Sequence, residues 1–233
     1  MDRYPFAIAC ACVSAFTRPG THDVVSATSE PVCSGYVVSE LAAEFRPPHA
    51  PVVRFEHCAV ANAYYHPDER AIVVCHELRD RRVRLFASAG YDPVAAERMA
   101  RDAMTFTVFH EFGHALHSEL RLPITGRGED AADEIAAILL IDRGAEGRAV
   151  AAHAALAHYL RSTQPGHHDA YWDVHSSSAQ RGVAIACLLY GADPIAHADL
   201  TKRLGIPGRR LAQCVRDYPF RVRAWQALLS PPR

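Results

Sequence analysis

The sequence predicts an α+β fold in which a small mixed sheet leads into a long helix and the rest of the chain is helical. Two observations lead there. Short β-branched and aromatic runs punctuated by turn residues are confined to the first third of the chain. From Asp92 onward, apolar residues recur at helical spacing instead. A third observation sets the scale: 233 residues, 49% of them apolar, suffice to bury one large core. We therefore expect a single domain over 1–233, mixed α/β over 1–91 and helical over 92–233.

The elements follow in order. Phe6, Ile8, Cys10 and Cys12 alternate with Ala7, Ala9 and Ala11, which reads as a buried strand; the alternative is a short export signal, although Met1-Asp2-Arg3 is only weakly basic and no clear cleavage site follows. Residues up to 35 complete a strand and a loop, 36–46 a helix, and Pro47-Pro48 a break. Val52–Glu56, Ala59–Tyr65 and Ala71–Glu77 read as strands, with a turn at His66-Pro67-Asp68. Asp92 is placed to cap a helix that has Pro93 at its first position and runs to Leu120 before Pro123. A second helix follows Glu129 and ends at Gly144. Beyond it come a helix over 149–161, a Gly/His/Asp-rich loop over 163–175, and helices near 176–190, 195–204, 207–217 and 219–229.

The chemistry is concentrated in His110-Glu111-Phe112-Gly113-His114. At 3.6 residues per turn the two imidazoles lie one above the other and can share one ion, while Glu111 projects beside a metal-bound water as its general base. Gly113, a weak helix former, marks close approach of another backbone. Two histidines leave a tetrahedral zinc short of a ligand. Glu129 is the candidate, with Asp133 one turn later accepting the free ring N–H of a liganding histidine. Asp130 or Asp133 as ligand stays open, as does the plain reading that acids favour the first turn of a helix. His117 is spaced too closely to His114 to serve as the third histidine of an extended motif.

The block Phe109–Leu116, followed by Leu122–Arg127 and Glu129–Asp133, resembles an uncharacterised bacterial family of putative metallopeptidases. Asn62–Tyr65, Ile72–Leu78, His175 with Gln180-Arg181, Cys187–Gly191 and Cys214–Trp225 are similar to its other blocks. The resemblance covers about residues 40–230. It implies a zincin-like fold with a gluzincin-like zinc site: His110, His114 and a downstream glutamate as ligands, Glu111 as base. The chain departs from the family in His76-Glu77, where members often read Tyr-Glu. Members also often carry a secretion or anchoring segment.

The substrate implied is a peptide or small amide. In gluzincin-like enzymes a cleft-edge strand pairs with extended substrate, which points to Ala71–Cys75, centred on Val73. Asn62 either bonds substrate or satisfies its own turn. His175 either donates to the oxyanion or caps the following helix, and Arg181 either assists it or pairs with a carboxylate. Two histidines and a carboxylate also describe a ferrous oxygenase site, and a metal that only staples the fold is a third reading.

A net charge of −1, with Arg and Asp/Glu interspersed, points to no nucleic-acid or membrane partner; oligomeric state is left open. Of the seven cysteines, Cys58 with Cys75 and Cys187 with Cys214 pair if the chain is exported, whereas an odd count suits free thiols in a reducing compartment. The expectation is cytoplasmic, with secretion as the alternative.

Overall fold

The computed structural model describes residues 29–230, with side chains from residue 37 on. The expected strand over 6–16, Cys10, Cys12 and the side chain of Cys33 lie outside the described residues. The order is α1 (Ser29–Phe45), β1 (Val52–Glu56), β2 (Ala63–His66), β3 (Ala71–Cys75), α2 (His76–Ser88), α3 (Pro93–Glu119), α4 (Gly128–Asp142), α5 (Gly144–Ser162), α6 (Ser178–Ala192), α7 (Ala198–Arg203) and α8 (Gly208–Leu229). The fold is α+β and mostly helical, as the patterning predicts.

The sheet has the order β1-β3-β2. β2 and β3 form an antiparallel hairpin, and β1 pairs with β3 in parallel. The apolar run Ala71-Ile72-Val73-Val74-Cys75 is therefore the central strand, buried along its whole length. It ends at Cys75 rather than Glu77, because His76 and Glu77 open α2, where Glu77 accepts the backbone N–H groups of Cys58 and Ala59. A Cys58–Cys75 disulfide, with Cα atoms 5.5 Å apart, ties the approach to β2 to the end of β3.

Helix α3 is the spine. Asp92 caps it, accepting from the N–H groups of Val94 and Ala95, and Pro93 fills the first position as the sequence predicts. Phe106, Val108, Phe109, Phe112 and Leu116 enter the main core with β3, α4, α5 and α6, while Met99, Ala100 and Ala103 build a smaller cluster with Phe86 of α2 and Leu156 of α5. Gly113 lies where α3 meets α4: a Cβ there would stand 2.8 Å from Ile135 Cγ2 and 3.3 Å from Ala132 Cα. The close approach expected at Gly113 is present. At Gly144, a φ of +78° turns the chain from α4 directly into α5, so α5 starts five residues before the expected 149.

Two other expectations are corrected. α1 begins at Ser29 rather than 36, since Pro31 falls in the first helical turn, where its missing N–H costs nothing. The helices expected over 207–217 and 219–229 are one, α8, continuous through Pro219. The stripe Leu211, Cys214, Tyr218, Val222, Trp225 and Leu229 keeps one packed face on both sides of the proline. Pro219 itself is exposed, so the bond it deletes lies on the wet side. Trp225 Nε1 donates to Glu134 of α4 at 3.0 Å, and a Cys187–Cys214 disulfide, Cα atoms 5.1 Å apart, joins α6 to α8. Among the described residues no helix is long and apolar enough to cross a membrane.

Candidate metal centre

His110 and His114 stand on consecutive turns of α3, with Nε2 atoms 3.2 Å apart. The close contact at Gly113 brings the first turn of α4 over them. Glu129 Oε2 lies 3.1 Å from His110 Nε2 and 3.4 Å from His114 Nε2. Two ligands each ~2.0–2.1 Å from a tetrahedral ion stand about 3.3–3.4 Å from one another. Three donor atoms with mutual separations of 3.1, 3.2 and 3.4 Å thus fit one small cation, and two imidazoles with a carboxylate suit zinc among others. The other acids raised as ligands face elsewhere. Asp130 is exposed and accepts from Ser176 Oγ at 2.9 Å. His117 lies outside the cluster.

Asp133, one turn after Glu129, accepts His110 Nδ1–H at 2.8 Å. That bond fixes the tautomer, leaving the Nε2 lone pair of a neutral His110 aimed at the cluster. Arg181 grips the same carboxylate through Nε at 2.6 Å and Nη2 at 2.7 Å. Asp133 pays a burial cost that this fork and His110 outweigh, so its pKa falls far below the usual range. His110 shows the converse: burial disfavours its charge, yet Asp133 and Glu129 hold its pKa up at about 9 in the metal-free protein. Burial likewise opposes ionisation of Glu129, and bonds from His110, His114 and His175 win, holding it well below its ordinary value.

Glu111 is 5% exposed. Burial pushes its pKa up, opposed by His110 and His114 and by the backbone N–H of Tyr65. The hairpin register explains that last group. Asn62 C=O accepts from Cys75 N–H at 3.0 Å, so by the alternation of an antiparallel ladder Asn62, Tyr64 and His66 face β3, while Ala63 and Tyr65 turn their N–H and C=O outward. The outward edge of β2 borders the carboxylate.

The geometry places the other expected site residues. Val73 is 2% exposed on the central strand β3, which is bonded on both sides, and the free strand edge beside α3 belongs to β2. Arg181 is committed to Asp133 rather than open to substrate. His175 does not cap α6, since Ser177 forms a capping box with Gln180. It is also no free donor, because its Nε2 meets Glu129 Oε2 at 3.0 Å and its Nδ1 meets Asp173 at 2.8 Å. Asn62 is exposed at the head of β2. Sequence reasoning missed the Tyr65 N–H, which no side-chain pattern encodes.

A family model described as putative metallopeptidase matches residues 21–229. Comparison with curated proteins and with solved structures returns no match.

Proposed function

The chain belongs to this putative metallopeptidase family, and from that premise we propose that it hydrolyses peptide or amide bonds at a zinc ion held by His110, His114 and Glu129. The observation that carries the reading is the trio of mutual separations, 3.1, 3.2 and 3.4 Å, among the three donor atoms. Zinc in such a set lowers the pKa of a bound water and polarises the scissile carbonyl.

The chain's own residues supply the remainder. Glu111, buried beside the histidines with its pKa raised, takes the proton of the attacking water and returns it to the leaving amine. Asp133 holds the His110 tautomer, and Arg181 holds Asp133 ionised. His175 orients Glu129 through its ring N–H, a positioning role in place of oxyanion donation. Ala63 N–H and C=O, with Tyr65 C=O, offer an outward strand edge on which an extended peptide can pair without its sequence being read. Asn62 lies at the head of that edge. We read the whole as one zincin-like domain, and the two disulfides support export over the cytoplasmic alternative.

Two measurements test this. Elemental analysis gives one zinc per chain that is lost in His114→Ala and Glu129→Ala; iron instead would favour the oxygenase reading. Glu111→Gln keeps the zinc and abolishes cleavage of a peptide library, and retained cleavage would remove Glu111 from the mechanism.

A further inference from the structure

Several arginines of this protein meet acids: Arg79 meets Glu97, Arg143 meets Glu44, Arg181 meets Asp133 and Arg221 meets Glu134. One group does not. Arg81, Arg82 and Arg84 of α2 and Arg161 of α5 line a cavity of about 490 Å3 together with His158 and Gln164. No carboxylate lines it, and among the described residues none of the four arginines is paired with one. Asp173 senses Arg161 but is bonded to His175.

The arrangement is built rather than splayed. Arg82 Nη2 donates to Thr107 Oγ1 at 2.6 Å and Nη1 contacts Met104 Sδ at 3.2 Å, so α3 holds the guanidinium in place with donors to spare. Ala157 of the smaller apolar cluster and Leu85, which packs against that cluster, line the same cavity, and such apolar walls strengthen charge interactions beside them. Burial, with repulsion from Arg81, Arg181 and Arg161, pushes the pKa of Arg82 down. Four guanidinium groups around one cavity with no carboxylate in its lining repel one another, and an anion between them would relieve that repulsion. Guanidinium forks match oxyanions in two-pronged geometry. The volume of about 490 Å3 is that of a small-molecule site, which spans about 300–1,000 Å3.

We propose that this cavity binds a small ligand through a doubly charged oxyanion group, a phosphate or a pair of carboxylates. The site stands apart from the metal ligands and does not depend on the peptidase reading.

Isothermal titration of the full chain with its metal, using inorganic phosphate, pyrophosphate and citrate at fixed ionic strength, tests it. The expected result is saturable one-to-one binding that weakens as sodium chloride rises. Affinity falls at least about tenfold in Arg84→Gln/Arg161→Gln and is unchanged in His114→Ala. Arg84 and Arg161 are exposed, so the substitutions spare the fold; Arg81→Gln, also exposed, is a second variant. Tighter binding of phosphate or pyrophosphate names a phosphorylated ligand, and tighter binding of citrate a polycarboxylate. No saturable heat from any of the three, equal affinity in the arginine variants, or loss confined to His114→Ala would overturn the proposal.

Discussion

Replacing Asp133 with asparagine tests how much of the metal centre depends on a group that touches no substrate. The carboxylate side chain is 5% exposed and accepts three hydrogen bonds, from His110 Nδ1 at 2.8 Å and from Arg181 at 2.6 and 2.7 Å. Asparagine keeps the shape but offers one acceptor oxygen, and its NH2 group then faces a donor. The guanidinium, itself 14% exposed, loses its bonded counter-charge and keeps only the longer-range fields of Glu129 and Glu111. Stranding one member of such a buried pair costs about 3–5 kcal/mol, and loosening the His110 ring costs about 10–100-fold in metal affinity. Urea unfolding of the chelator-treated protein reads the first quantity and zinc titration against a competing chelator reads the second. Asp133→Asn/Arg181→Met should recover part of the stability lost in Asp133→Asn, because the stranded cation is gone. A stability loss below about 1 kcal/mol, or zinc affinity within about twofold of wild type, would refute the argument.

Gly113→Ala should weaken zinc binding more than it weakens folding: the new methyl, 2.8 Å from Ile135 Cγ2, costs about 1–3 kcal/mol in overpacking, offset by about 1 kcal/mol of helix propensity, while α4 shifts with Glu129. Unchanged zinc affinity would mean that Ile135 yields instead. In the metal-free protein His110, held at about 9 against an ordinary 6.5, contributes stability that is complete below pH 6.5 and lost as pH rises through 9. The urea midpoint should fall across that window, and His110→Ala should flatten the profile. Cys58→Ser/Cys75→Ser opens a link with a sequence separation of 17 and should lower unfolding stability by about 3 kcal/mol; a wild-type midpoint indifferent to reductant would contradict the bridge.

The parts of this protein that were legible in its sequence are those in which one segment suffices. The His110–His114 spacing, the Asp92-Pro93 start and the small residue at Gly113 are local statements about one helix, and they hold. Glu129 was readable as one of three acids, and only packing separates it: Asp130 turns to Ser176 and Asp133 to His110 Nδ1. Strand order was not legible, since an apolar run at 71–75 fits a central strand or a covered edge alike, and only the pairing of β3 on both sides separates the two. Pro219 misled in the opposite way, because a helix broken on paper continues when its packed face is unbroken. The arginine cavity was hidden for a related reason: charges interspersed with acids along the chain need not be interspersed in space.

Helix α3 carries two features a short distance apart. Thr107, which anchors Arg82, precedes His110 by three residues, an axial offset of about 4.5 Å at 1.5 Å per residue. A helix is stiff along its axis, so that offset is a fixed length, immune to rearrangement of the loops around it. The helix acts as a ruler: anything anchored by Arg82 is held at one set height from the turn that carries His110.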